Sequence, residues 1–223
     1  MRGPLLEVVR GLLERTFHMR SGLDALAPFV IGDRGYQALY GSGRRARGVG
    51  SPDAQGAKTL VRETADGVAA CIYFPDSLIE RLETHPPYHG VGQQNLQEFA
   101  TFIEEIDHLL LIAERSRDGR PVSLFELELH ANVSKHLVLT RFLAGTTPRL
   151  AADRRLWLRH GLFHGVRYCD DDPVMRQRYR DAARWAIRLL DGLTGLDTAR
   201  CVATLRRFHV ADVPSKLRMI GEL

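Results

Sequence analysis

Hydrophobic residues recur at helical spacing from the start of the chain. Leu5, Val8, Val9, Leu12 and Leu13 fall on one side, with Glu7, Arg10 and Glu14 opposite, which predicts an amphipathic helix from Leu5 to Phe17. The pattern then breaks at Pro28, Gly32 and Gly35, so residues 23–40 read as a short helix, a bend and a second short helix. Two runs suit strands, Lys58 to Glu63 and Gly67 to Phe74, the second rich in Val, Ile, Tyr and Phe. The turn-forming Thr64-Ala65-Asp66-Gly67 between them makes a β-hairpin.

Two long apolar segments follow and dominate the reading. In Asn95 to Arg115, Phe99, Phe102, Ile103, Ile106, Leu110 and Ala113 define one continuous face. Opposite it lie Thr101, Glu104, Glu105 and His108, succeeded by Leu111 and Ile112, so the helix is expected to be covered on both sides. In Ser123 to Ala144, leucines, valines and Phe142 surround nearly the whole circumference, as in a central helix. Both have start signals: Asn95 with Glu98, and Ser123 with Glu126, the spacing of a capping box. Ser77 with Glu80 predicts the same device for a shorter helix ending before Pro86.

Beyond Pro148, residues 154–168 read as a helix broken by glycines. Asp170 to Asp172 before Pro173 is a strong start for a helix through Leu193, and shorter helices near 198–208 and 214–221 close the chain. The fold class expected is mainly α with a small β-hairpin near residues 58–74, a single-domain helical bundle over 1–223. Residues 41–57, GSGRRARGVGSPDAQGA, offer almost nothing to bury and read as a flexible Gly/Arg-rich loop.

Composition narrows this picture modestly. The formal net charge is +4, and among 31 basic residues only Lys58, Lys135 and Lys216 are lysines. Arg44, Arg45 and Arg47 therefore form one candidate surface for a protein or nucleic-acid partner, and Arg206, Arg207 and Arg218 a second basic segment. Cys71, Cys169 and Cys201 are odd in number and lack C-x-x-C spacing, which suits reduced thiols rather than a disulfide framework. Charges interrupt the N-terminal apolar stretch, and the run Leu109 to Ala113 is too short to span a bilayer. A soluble cytoplasmic protein without a membrane partner is expected.

Chemistry concentrates in the two long helices. Glu104 and His108 are four residues apart and lie one above the other, able to reach one ion or proton. Glu128, Asn132 and Lys135 share a face of the second helix among apolar neighbours, where Glu128 and Lys135 are expected to pair or to shift their pKa values. Glu104, His108 and Glu128 as ligands of Zn²⁺ or Fe²⁺, with an open position for activated water and Lys135 stabilising negative charge, describe a metal-dependent hydrolase acting on a small-molecule or peptide substrate. The alternative is a non-enzymatic interaction module whose buried charges fix helix register. Glu126 with His130 forms a second i,i+4 pair, and His160 with His164 a third. His136 reads as a packed histidine.

Two short motifs bear a family likeness. Glu104-Glu105-Ile106-Asp107-His108 resembles the inverted zinc-peptidase motif H-x-x-E-H, with Glu in place of the first histidine and Asp in place of glutamate. Glu105 and His108 resemble the E-x-x-H element of ferritin-like di-iron proteins, for which Glu98 and Glu128 would supply further carboxylates. The second E-x-x-H of that pattern is missing, and no H-E-x-x-H exists in the chain.

Overall fold

The computed structural model describes residues 4–40, 48–49, 56–65, 67–145, 150–164 and 172–223. Within them the protein is mainly helical with one small sheet, as the hydrophobic pattern implies. The opening helix α1 spans Leu5–Phe17 and buries Val9, Leu13 and Phe17. The bend that follows holds a short strand, β1 (Val30–Ile31), before helix α2 (Asp33–Tyr40). This strand had no sequence signal of its own. At two residues it is too short to show alternation, and it forms because it pairs in parallel with a distant strand.

The hairpin pairs β3 (Lys58–Thr64) with β4 (Gly67–Tyr73) antiparallel, Thr59 opposite Ile72. Strand β2 (Gly48–Val49) adds to the outer edge of β3, so the sheet order is β1-β4-β3-β2. Composition predicts a loop over the whole of 41–57, and the backbone pairing of Gly48 and Val49 with β3 corrects that at those two residues. Arg44, Arg45 and Arg47 lie outside the described residues.

Helix α3 (Asp76–Thr84) follows the sheet. Its first residue is Asp76 and Pro75 occupies the cap position, so Ser77 lies inside the helix and the expected Ser77/Glu80 box does not form. Helices α4 (Leu96–Arg117) and α5 (Leu124–Ala144) are the two long segments. Ser123 caps α5, accepting from the Glu126 N–H at 3.1 Å. Asn95 does not cap α4 with its side chain. Its amide instead ties the preceding loop together, accepting from the Gly92 N–H and donating to the carbonyls of His85 and Gly90. The connection between the helices turns at Gly119, whose φ of +64° is cheap only for glycine.

After α6 (Ala152–Arg159), residues His160–His164 wind as one π-helical turn. Gly161 sits there because a Cβ would lie 2.6 Å from Leu96 Cδ2, and its carbonyl accepts from Gln97. Helix α7 (Pro173–Leu193) begins as expected, with Asp172 accepting from the Val174 N–H and Pro173 in the first turn. Helices α8 (Thr198–Val210) and α9 (Val213–Gly221) are capped by Asp197 and Asp212.

One contiguous apolar core runs from Val9 in α1 to Ile220 in α9. Helix α4 is covered on one side by the sheet and on others by α1 and α5, while α5 packs against α4, α7, α6 and α1. Both helices are therefore wrapped, and their polar residues are buried with them. Leu110 is fully buried in the middle of α4. Leu110→Ala is expected to destabilise the protein by about 2–5 kcal/mol, the range for a leucine truncated in a core that relaxes only in part. Urea unfolding followed by circular dichroism reads this as a lower midpoint at unchanged slope.

Candidate metal centre

Two separate polar groupings sit in the interface of α4 with α5, and they differ in how completely they are satisfied. The first is a network extending to α8 and α9, closed but for the buried Arg115 Nε. Asp107 accepts from Ser134 at 2.6 Å and from His130 Nδ1 at 2.9 Å. His130 Nε2 meets His209 Nδ1 at 3.1 Å, and His209 Nε2 donates to Glu114 at 2.5 Å. Glu114 also accepts from the Arg20 N–H. Alongside, Glu126 accepts from Arg115 at 3.1 Å and from Lys216 at 2.7 Å, and both cations also donate to the His209 carbonyl. The outer nitrogens of the two histidines thus face carboxylates and their inner nitrogens face each other.

Sequence reading missed this network because its partners lie far apart in the chain. The Glu126/His130 pair it did note is not a contact: Glu126 turns to Arg115 and Lys216, and His130 to Asp107 and His209. The one local signal was spacing, since Glu126, His130 and Ser134 follow each other every four residues along α5. The basic C-terminal segment divides. Arg206, Arg207 and Arg218 are exposed, whereas His209 and Lys216 are buried.

The second grouping is the one the sequence singled out. Glu104 and His108 from α4 and Glu128 from α5 each bring a ligand atom within 4.8 Å of the others, and all three are buried. His108 Nε2 stands 3.7 Å from Glu128 Oε1. Lys135 donates to Glu104 Oε2 at 2.6 Å across the interface, and its charge also acts on Glu128, against the burial that raises that carboxyl. Asn132 donates to the Glu128 carbonyl and remains outside the cluster.

Glu105 joins from the sheet side. It is fully buried, and its Oε2 accepts from Thr59 of β3 at 2.7 Å and lies 3.7 Å from His108 Nδ1. Sequence analysis gave Glu105 only its E-x-x-H spacing, because nothing local reveals that a strand residue 46 positions earlier would hold it. Glu98 is not part of the cluster. It pairs at the surface with Arg81.

At 3.7 Å neither contact of His108 is a hydrogen bond, and both its nitrogens, like Glu105 Oε1, are buried without a partner. A buried polar atom left so costs roughly 1–3 kcal/mol. The ionisation of these groups is shifted as well. Burial pushes the Glu105 carboxyl up, and burial together with the charge of Glu104 pushes Glu128 up to about 8. Burial works to lower the His108 pKa, but the Glu105, Glu128 and Glu104 carboxylates outweigh it and raise it to about 9.

Other histidines do not contribute. His136 packs on Phe163 and is pushed down to about 4 by burial and then by Arg159. His160 and His164 stack on each other at 6.2 Å on the exposed side of the π-helical turn.

No protein-family model, curated protein or solved structure matches this chain, so its chemistry is argued from this geometry alone. Among the described residues no helix is long and apolar enough to cross a membrane.

The closed network has a measurable consequence in acid. Burial alone would raise Glu114, but its bonds from His209 and Arg20 hold it at about 2, below its ordinary 4.5. The stability this contributes is fully present above the unfolded value and is lost as pH falls through 4.5 towards 2. Glu114→Gln is expected to lower stability at pH 7 and to flatten its decline between pH 4.5 and 2, read by denaturant melts across that range.

Proposed function

We propose that this protein is a metal-dependent enzyme of hydrolytic type, with Glu104, His108 and Glu128 holding a divalent ion such as Zn²⁺ or Fe²⁺. The observation that carries the reading is the pair of buried, unpartnered nitrogens on His108 set among carboxylates. With bonds of about 2.0–2.2 Å in tetrahedral geometry, two ligand atoms on one ion stand roughly 3.3–3.6 Å apart, and the 3.7 Å between His108 Nε2 and Glu128 Oε1 is close to that spacing. The same distance is too long for a hydrogen bond. One nitrogen and two carboxylate oxygens are three protein donors, the number at which hydrolytic zinc sites leave a fourth position for water.

When bound, the ion supplies Lewis acidity and lowers the pKa of a coordinated water. The chain's own contribution is electrostatic and steric. Lys135 pairs with Glu104 at 2.6 Å, and it is the most exposed member of the cluster, its side chain 13% accessible against 7% for Glu104 and none for His108. Its ammonium therefore stands on the solvent side, placed to stabilise negative charge developing on a substrate. The apolar residues of α4 and α5 around the site exclude bulk water and strengthen each of these interactions.

The free cysteines Cys71 and Cys201 and the absence of a spanning helix among the described residues support a cytoplasmic setting for this activity.

Protein purified without an affinity tag and dialysed against Zn²⁺ or Co²⁺ is expected to retain one equivalent by elemental analysis. His108→Ala and Glu128→Gln should each weaken that binding by more than roughly 100-fold, since even outer partners of metal ligands contribute about 10–100-fold. Retention of no stoichiometric metal by the parent protein would remove the reading.

A further inference from the structure

Resting on that metal centre, we propose that Glu105 is its positioning residue, accepting the His108 Nδ1–H so that Nε2 alone is presented to the ion, with Thr59 of the sheet fixing the carboxylate. His108 has two chemically similar nitrogens, each facing a carboxylate at 3.7 Å: Nε2 faces Glu128 and Nδ1 faces Glu105. An ion can take only one of them. The other then carries the proton and needs an acceptor, because the ring is fully buried.

The two sides are not equivalent. Glu128 belongs to the set of ligand atoms that converge with Glu104, so the ion falls on the Nε2 side. Glu105 stands on the opposite side, and its Oε2 is already anchored by the Thr59 hydroxyl at 2.7 Å. Thr59 is itself fully buried and also donates to the Glu105 backbone carbonyl at 3.2 Å, which ties the strand to this turn of α4. Glu105 and His108 are three residues apart on one helix, so a small rotation of the ring closes their contact without moving backbone. Glu105 Oε1 is likewise buried without a partner. A metal-bound histidine held by a carboxylate in this way keeps one tautomer and one ring orientation.

The test uses the full-length protein loaded with Zn²⁺ and with Co²⁺. Glu105→Ala is expected to weaken Zn²⁺ binding about 10–100-fold, while Glu105→Gln, which keeps an acceptor oxygen, recovers most of the loss. Thr59→Val removes only the anchor and is expected to weaken binding by a smaller factor while leaving the fold intact. In ¹⁵N spectra of the Zn²⁺-loaded parent, the His108 ring should show the Nδ1–H tautomer with Nε2 on the metal. The visible absorption of bound Co²⁺ should keep its shape in Glu105→Gln, as it would not if Glu105 were itself a ligand. Unchanged Zn²⁺ affinity in Thr59→Val and in both Glu105 variants, or coordination through Nδ1, overturns the assignment and leaves the metal centre standing. A parent protein that binds neither ion overturns the metal centre and this assignment together.

Discussion

Ionisable side chains on α4 and α5 have been taken out of water, and the arrangement of the rest of the chain follows from what they then require. A buried charge without a partner costs several kcal/mol, and a buried hydrogen-bonding atom without one costs roughly 1–3. Helix α4 alone buries Glu104, Glu105, Asp107, His108, Glu114 and Arg115. Each needs an answer from another element. Asp107 and Glu114 find it in histidines of α5 and α8, Arg115 in Glu126 and the end of α8, Glu104 in Lys135, and Glu105 in a strand threonine. The docking of α8, α9 and the sheet onto the central pair is thus specified by polar contacts as well as by the apolar core.

The two polar groupings answer the same requirement to different degrees. In the closed network each carboxylate meets a donor, and the cations Arg115 and Lys216 also bond backbone carbonyls at the end of α8. That is enough to fix helix register and to hold the C-terminal helices in place. In the second grouping the carboxylates converge but His108 does not complete a hydrogen bond with either neighbour.

The pattern of apolar positions made most of this fold legible. Long helices with continuous faces, the Ser123 cap and the Asp172-Pro173 start were readable because their causes are local, within four residues of one another. Strands β1 and β2 were not, since a two-residue strand exists only through pairing with β4 or β3. The caps expected at Ser77 and Asn95 failed for a related reason: Pro75 and the loop around Gly90 and Gly92 claim those positions first. At the site, helical periodicity placed Glu104 and His108 on one face and Glu128 and Lys135 on another. It could not place Glu105 against Thr59 or His209 against His130, because those contacts join elements far apart in sequence and depend on how the helices rotate against their neighbours.

The sheet bears on the site through its register. Thr59 stands opposite Ile72 in the β3–β4 ladder, so a slip of one residue would turn Thr59 to the other face and bring Lys58 or Leu60 toward α4. A lysine there would neutralise Glu105, and a leucine would leave its Oε2 without a donor. Ile72 on β4 and Phe74 just past its end pin that register by burial in the core, Phe74 stacking on Phe102 of α4 at 4.8 Å. Apolar packing between the sheet and α4 therefore sets the position of a single hydroxyl, and that hydroxyl sets the carboxylate beside His108. The polar chemistry of the cluster is in this sense held by the hydrophobic core around it.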